Sequence, residues 1–301
     1  MLYDDMCQLI GDTPLVRLTH SGFAEPLRVY AKLEFYNPSG SVKDRIGKYM
    51  IEDAEKRGLL SRGGTIVEAT AGNTGLGVAF FALGRGYRLI MVVPTKFSEE
   101  KQTLLRAMGA EVVNTPKEDG MLGAERKANE LRAAISGAIS LAQFRNQSNP
   151  QAHYETTGPE IWRDLSGKID YVVAGAGSGG TFTGILRYLK EQDRNIKGVL
   201  ADPVGSTIGG GEHSAYDIEG IGNDFIADTM DMSLVDQVVK VTDTDALTHV
   251  RRLAAEEGII AGSSSGAAMS AVRKLTDTVQ GGNIVVVLPD RGDRYFSKNI
   301  F

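Results

Sequence analysis

Several features that would indicate other classes of protein are missing from this chain of 301 residues. Cys7 is its only cysteine, which excludes an internal disulfide and a thiolate metal cluster. The four histidines are scattered without metal-ligand spacing, so we assign no metal. No apolar stretch approaches the ~18 residues that span a bilayer, and no basic segment followed by an apolar run opens the chain. We therefore expect no membrane association and a cytoplasmic location.

The chain also has no large excess of charge of either sign. The chain carries 33 basic and 38 acidic residues, a net charge of −5, and no block of lysines or arginines. Nucleic-acid binding requires a concentrated basic surface, so this composition argues against nucleic acid as a partner. Small molecules remain the expected ligands.

Apolar runs rich in valine and isoleucine alternate with segments of helical period. The predicted strands are Val29–Leu33, Thr65–Glu68, Leu89–Val93, Glu111–Asn114, Tyr171–Ala174, Gly198–Ala201, Gln237–Val241 and Ile284–Leu288. The predicted helices are Val42–Arg57, Leu76–Leu83, Glu99–Met108, Gly120–Ile135, Phe182–Lys190, Thr244–Glu257 and Gly266–Leu275. Strands that are apolar on both faces and alternate with helices predict an α/β fold of mostly parallel sheets covered by helices.

The alternation pauses at the polar, irregular stretch Gln143–Asn149, where we place a crossing between two lobes. The smaller lobe would span residues 37–145. The larger lobe would combine residues 1–36 with residues 146–301.

Two loops between a strand and a helix are candidate anion sites. In the first, Thr70-Ala71-Gly72-Asn73-Thr74-Gly75 follows a predicted strand and leads into an apolar helix. Glycines allow a close approach of the backbone to a ligand, and the unpaired N–H groups of a helix start attract anions. The alternative is that Asn73 and Thr74 only cap the helix.

The second loop, Gly175-Ala176-Gly177-Ser178-Gly179-Gly180-Thr181, holds four glycines among seven residues and is a phosphate-site candidate. It also matches the G-x-G-x-x-G pattern of dinucleotide-binding proteins, and Asp202 ends the next strand at a suitable distance for a ribose contact. A nicotinamide dehydrogenase is therefore an alternative. Against it, the fingerprint normally lies in the first unit of its domain, whereas this loop follows a complete α/β lobe.

Lys43 lies at a predicted helix start. Ser41 and Asp44 have the spacing of a capping box, which would make Ser41 the N-cap and put Lys43 in the first helical turn. A cation is disfavoured there, whereas a neutral amine or an imine is not. Lysines that form Schiff bases have this property. The alternative is an ordinary solvated lysine.

These segments resemble, in order, the motifs of the cysteine synthase and cystathionine β-synthase family. The matching segments are Gly11–Val16, Ala31–Glu34, Asn37–Arg45, Gly72–Gly75, Gly177–Thr181 and Gly262–Gly266, and the likeness extends from about Gly11 to Ser297. The resemblance implies a two-lobed, tryptophan-synthase-β-like fold (fold type II) with pyridoxal 5′-phosphate as cofactor. It also implies a homodimer.

The resemblance further implies a role for individual residues. Lys43 would form the internal aldimine and then act as the base at Cα, and Asn73 would bond the 3′ oxygen of the cofactor. Gly177, Ser178, Gly179, Gly180 and Thr181 would hold the phosphate, and Ser264 the pyridine nitrogen. The substrate would be bound by Thr70, Ala71, Gly72, Asn73, Thr74, Gln143, Glu219 and Gly220. A hydroxyl keeps that nitrogen less protonated than a carboxylate does, which favours loss of a β-substituent through an aminoacrylate over transamination.

Two positions depart from the cysteine synthase pattern. Ala71 replaces the usual serine of the substrate loop, and Glu219 precedes Gly220 where cysteine synthases commonly have glutamine. Glutamate there resembles cystathionine β-synthases, and a carboxylate could receive the ammonium of homocysteine. We therefore expect β-replacement on serine or O-acetylserine with homocysteine as the thiol acceptor. The alternatives are a cysteine synthase that uses sulfide and, for Glu219, a solvated loop acid.

Overall fold

The computed structural model describes residues 2–70, 72–95 and 97–301. Ala71, to which the sequence assigned a substrate contact, lies outside the described residues. The strands are β1 (Leu15–Arg17), β2 (Leu27–Leu33), β3 (Thr65–Ala69), β4 (Arg88–Pro94), β5 (Glu111–Thr115), β6 (Tyr171–Gly175), β7 (Lys197–Pro203), β8 (Gln237–Val241) and β9 (Gly282–Leu288). All eight predicted strands are present, and no end shifts by more than two residues.

The α-helices are α1 (Lys43–Lys56), α2 (Asn73–Ala82), α3 (Glu99–Ala107), α4 (Gly120–Ala134), α5 (Ser148–Ala152), α6 (Gly158–Asp164), α7 (Gly180–Gln192), α8 (Asp243–Glu257) and α9 (Ser263–Thr276). A π-helical turn, His153–Thr157, joins α5 to α6, and a 3₁₀ segment, Gly292–Lys298, lies near the C-terminus. No helix in the described part of the chain is long and apolar enough to cross a bilayer.

The strands form two sheets. Six of them follow the order β1-β2-β9-β6-β7-β8, and the other three follow the order β3-β4-β5. All neighbours are parallel except β1, which pairs with β2 antiparallel. The α/β prediction is confirmed. The three-stranded sheet falls inside residues 37–145 and the six-stranded sheet outside them, whereas the lobe boundaries themselves stay a prediction.

Both sheets are covered on two faces. Along β9, Ile284 and Val286 pack into the core beneath α9, whereas Val285 and Val287 belong to the core beneath α7. Along β3, Ile66 faces one core and Val67 the other. Because side chains alternate along a strand, burial on both faces requires an unbroken apolar run, and that run made the strands visible in the sequence.

Two regions of regular structure were missing from the sequence prediction. β1 is only three residues long and mostly exposed, so it has no apolar pattern. The stretch predicted as irregular, Gln143–Asn149, becomes helical at Ser148, and helical backbone continues through α6 to Asp164. Polar residues and a proline masked its start, although proline is tolerated in a first helical turn.

Helices α1 and α2 meet backbone to backbone. A Cβ atom added to Gly77 would lie 2.3 Å from the carbonyl oxygen of Lys43, and one added to Gly47 would lie 2.5 Å from the backbone of Gly77. Only glycine permits this approach. The contact holds the first residue of α1, Lys43, next to the start of α2.

Candidate active site

Lys43 is the first residue of α1, but the predicted capping box is wrong. Val42 precedes the helix in a helical conformation, and Ser41 is not the N-cap, although its Oγ accepts a 3.3 Å bond from the Lys43 N–H. The Asp44 carboxylate instead accepts hydrogen bonds from the backbone N–H, at 2.6 Å, and the hydroxyl of Ser39. The reason is that the chain before α1 turns back through a 2.7 Å bond from Gly40 N–H to the Asn37 carbonyl, which brings Ser39 over Asp44.

Lys43 lines a cavity that also contains the start of α2 and the glycine-rich loop before α7. Removal from bulk water lowers the pKa of this lysine, and the nearby carboxylate of Asp290 partly opposes the shift. A lowered pKa increases the fraction of neutral amine, which is the nucleophilic form. The surroundings of Lys43 therefore suit Schiff-base chemistry.

The glycine-rich loop Gly175–Thr181 is held from outside through its carbonyl groups. Ala176 O accepts from Gly222 N–H at 2.7 Å, Gly177 O from Asn223 Nδ2 at 2.8 Å, and Ser178 O from Thr229 Oγ1 at 2.5 Å. In a trans peptide the N–H points opposite to the carbonyl. The N–H groups that follow these three carbonyls are thus directed away from the outer partners, as an anion site requires.

Glycine is required in this loop for steric reasons. Gly179 has a φ of 79°, and a Cβ there would lie 2.5 Å from Met230. A Cβ at Gly177 would lie 2.6 Å from the Gly220 carbonyl oxygen, and one at Gly180 would meet the Asn149 amide. A side chain at any of these three glycines would therefore collide with the residues that pack against the loop and would displace the loop.

The loop before α2 is fixed by Thr70. Its Oγ1 accepts hydrogen bonds from Gly72 N–H at 3.1 Å and Gly75 N–H at 3.2 Å, and Gly72 has a φ of 135°. Thr74 Oγ1 donates to Gln143 Oε1 at 2.6 Å. Asn73 is the first helical residue, and no side chain of the residue before it caps α2. The alternative that Asn73 and Thr74 only cap this helix is therefore wrong.

Asn73 is instead held by two partners from the other sheet's side of the cavity. Its Nδ2 donates to Asp290 Oδ2 at 2.7 Å, and its Oδ1 accepts from the Arg294 guanidinium at 2.8 Å. Asp290 also accepts a 2.5 Å bond from the Tyr295 hydroxyl. Its carboxylate therefore joins the start of α2 to the segment that follows β9.

Glu219 is not a solvated loop acid. Its backbone N–H donates to Ser263 Oγ at 3.0 Å, and its side chain is only 16% exposed. The carboxylate lies 3.0 Å from the ammonium of Lys101 and 3.9 Å from that of Lys298. Lys101 in turn donates to the Tyr295 hydroxyl at 3.0 Å. A continuous charged and polar network thus connects Glu219 with Asn73.

One cavity of about 670 Å³ brings the predicted site residues together. Its walls include Lys43, Thr70, Gly72, Asn73, Thr74, Gln143, Gly177, Ser178, Gly179, Thr181, Glu219, Gly220 and Ser264. Gly180 lies behind the loop against Asn149. The volume is in the range of cofactor and ligand sites.

Several residues around this cavity were not predicted. Lys101, Asp290 and Tyr295 form the network described above, and Asn149 Nδ2 donates to Ser178 Oγ at 2.9 Å. His153 Nε2 lies 3.1 Å from Thr181 Oγ1, and burial lowers the pKa of His153 to about 3. Asp290 follows the carboxyl end of a parallel strand, which is a readable signal. The others come from distant parts of the chain and have no local pattern.

The nicotinamide alternative is wrong. Asp202 does not face a ribose site, because its carboxylate accepts bonds from Lys240 Nζ at 2.6 Å and Gly209 N–H at 3.0 Å. The cavity instead combines an amine of lowered pKa with a glycine-rich anion loop. This arrangement is the one expected of an α/β enzyme that holds a phosphorylated aldehyde cofactor on a lysine.

Comparisons with known proteins agree with this class of enzyme. Residues 6–290 match the family model described as pyridoxal-phosphate dependent enzyme. The chain is 48% identical over 298 residues to an O-acetylserine dependent cystathionine β-synthase of Bacillus subtilis, which covers 99% of this chain and 97% of the relative. It is 42% identical over 304 residues to a cysteine synthase of Helicobacter pylori, with full coverage of both chains.

Among solved structures, an O-acetylserine dependent cystathionine β-synthase from Helicobacter pylori superposes with a TM-score of 0.95 at 42% identity, over 100% of this chain and 99% of that one. The chain therefore belongs to the pyridoxal-phosphate dependent enzyme family. Within that family it is an enzyme of the cystathionine β-synthase and cysteine synthase type, and its structural neighbours have fold type II.

The cavity fits the cofactor. Lys43 would offer the amine, the glycine-rich loop a phosphate site, Asn73 an amide group, and Ser264 a hydroxyl at the start of α9. Pyridoxal phosphate, when bound, supplies an electron sink for charge that develops at the Cα of an amino acid. The assignment of each residue to its part of the cofactor stays a prediction.

Proposed function

We propose that this enzyme replaces the acetoxy group of O-acetylserine by the thiol of homocysteine, which yields cystathionine and acetate. The observation that carries the proposal is the position of Glu219, a mostly buried carboxylate on the wall of the cavity that holds Lys43. A ligand that brings an ammonium into the cavity can pair with it, whereas sulfide cannot. The name of the Bacillus subtilis relative supports both the donor and the acceptor.

In this proposal the donor is held at the start of α2. Thr70 and Asn73 offer a hydroxyl and an amide group to its carboxylate, and Thr74 Oγ1 donates to Gln143 Oε1 at 2.6 Å, which fixes the orientation of the Gln143 amide at the same place. Lys43, whose pKa is lowered, takes the proton from Cα and acetate leaves from Cβ. The thiol of the acceptor then forms the new C–S bond at Cβ, and Lys43 returns the proton to Cα.

A cysteine synthase is the second candidate, and one observation favours it. Glu219 already has a cationic partner, Lys101, at 3.0 Å, so an incoming ammonium must compete for the carboxylate. The cation of Lys101 could also attract hydrosulfide. Relatives at comparable identity are named for one activity or the other, and the names do not decide between them.

A donor and acceptor matrix tests the proposal. Purified enzyme is offered serine or O-acetylserine, each with homocysteine or sulfide, and cystathionine and cysteine are quantified by chromatography. We expect the largest kcat/KM for O-acetylserine with homocysteine. A larger kcat/KM with sulfide at every donor concentration would make cysteine synthase the better description. The homodimer and the cytoplasmic location implied by the sequence stay predictions.

A further inference from the structure

Opposite charges are concentrated at one place on the cavity wall. Glu219, Lys101 and Lys298 all line the cavity, and the single carboxylate has an ammonium on either side, at 3.0 Å and 3.9 Å. The side chain of Lys101 is only 4% exposed, whereas that of Lys298 is 42% exposed. Of the two lysines, Lys101 is therefore the one that is removed from water.

A contribution to fold stability is a weak explanation for this pair. Removing two charges from water costs free energy that their attraction often fails to recover, so a nearly buried ion pair is weak evidence for a stabilising role. Tyr295, the other partner of Lys101, is neutral, because burial and nearby carboxylates raise its pKa well above the usual value. Within the described residues, Glu219 is the carboxylate within salt-bridge distance of Lys101.

The two partners come from different parts of the fold. Lys101 lies on α3, which packs beside the three-stranded sheet, whereas Glu219 lies in the loop between β7 and β8 of the six-stranded sheet. Their contact links the cavity walls that the two parts of the fold contribute. A ligand that separated the two charges and paired with both would join the same two walls.

We propose that Lys101 is a specificity residue that binds the α-carboxylate of the acceptor thiol while Glu219 binds its α-ammonium. An α-amino acid carries both charges on one carbon, so it matches two opposite charges that lie in contact. Each buried ion then exchanges one partner for another and neither is left unpaired, which avoids the penalty of an uncompensated charge. The inference rests on the proposed function, because it requires an amino-acid thiol as the acceptor.

The test removes one charge at a time from the ligand and from the enzyme. The holoenzyme is assayed with O-acetylserine and three thiols: homocysteine, 3-aminopropanethiol, which lacks the carboxylate, and 4-mercaptobutanoate, which lacks the ammonium. In the wild type we expect loss of the carboxylate to lower kcat/KM about 10- to 100-fold, the range for one charge-assisted hydrogen bond. In Lys101→Met, loss of the carboxylate from the thiol should change kcat/KM less than about threefold. Loss of the ammonium should still lower kcat/KM in this variant.

Two variants complete the design. Lys101→Arg, which keeps the cation, should restore most of the discrimination against the carboxylate-free thiol. Lys298→Met should retain it. If Lys298→Met abolishes the discrimination and Lys101→Met does not, the assignment is overturned. Should Lys101→Met fail to retain the cofactor, the same comparison is made in Lys101→Gln, which keeps a hydrogen-bond donor to Tyr295.

The outcomes separate this inference from the proposed function. If the wild type forms cystathionine but Lys101→Met and Lys101→Gln penalise the carboxylate-free thiol as strongly as the wild type does, only the role of Lys101 is rejected. If the wild type forms no cystathionine and uses sulfide alone, the proposed function fails and the role of Lys101 fails with it.

Discussion

Replacement of Glu219 by glutamine tests the acceptor site most directly. The change keeps the shape of the side chain and its oxygen toward Lys101 but removes the negative charge. Because the carboxylate is only 16% exposed, solvent screens it little. A charge-assisted hydrogen bond to such a group contributes about 1.5–3 kcal/mol, so kcat/KM with homocysteine should fall roughly 10- to 100-fold.

The assay compares two acceptors in the same variant. Sulfide carries no ammonium, so its kcat/KM in Glu219→Gln should change less than about threefold. Glu212→Gln is the matched control, because Glu212 is an exposed acid a few residues earlier in the same loop, and it should leave both reactions unaltered. Equal losses with sulfide and homocysteine would refute the reasoning, since Glu219 would then serve a step that both reactions share.

Three further predictions concern the cofactor and the buried histidine. Lys43→Ala should abolish the visible absorption of the bound cofactor, and a retained band would place it on another lysine. Gly179→Asp should release the cofactor, because its φ of 79° and the contact with Met230 leave no room for a side chain; Gly210→Asp, at a φ of 83° in open space, should not. Full cofactor occupancy in Gly179→Asp would reject the loop. For His153, the folded-state pKa of about 3 lies below the unfolded value of about 6.5. The unfolded chain therefore binds the proton at a higher pH than the folded chain does. The free energy of unfolding consequently falls as the pH drops below about 6.5. Between pH 6 and pH 5 the wild type should lose about 1 kcal/mol more of its free energy of unfolding than His153→Gln in urea titrations, and parallel losses would contradict this account.

The sequence predicted the parts of the fold that depend on local pattern. Eight strands were readable because each contains consecutive apolar residues, most of them β-branched, and the cavity-lining loops were readable because glycines cluster where strands end. β1 is exposed and three residues long, so hydrogen bonding to β2 creates it without any pattern of its own. The predicted cap of α1 was wrong because the turn at Gly40 brings the backbone N–H and hydroxyl of Ser39 to the Asp44 carboxylate, so Asp44 pairs with Ser39 and not with Ser41.

The site was predictable where one loop supplies several groups and hidden where distant segments meet. Lys101 and Glu219 are 118 positions apart, and neither has a local signal for the other. The sequence could therefore suggest Glu219 as a carboxylate for the acceptor, but it could not indicate that Lys101 pairs with this carboxylate. Asn73 likewise appeared as a cofactor contact, whereas its bond to Asp290 depends on how the two sheets come together.

The glycine contact between α1 and α2 has a mechanical consequence. Because the Lys43 carbonyl lies against Gly77, the start of α1 and the start of α2 cannot slide past each other independently. Any rearrangement of the start of α2 must therefore carry the backbone of Lys43 with it. If the donor binds at the start of α2 as proposed, the distance between its carboxylate and the Lys43 amine depends on this main-chain contact.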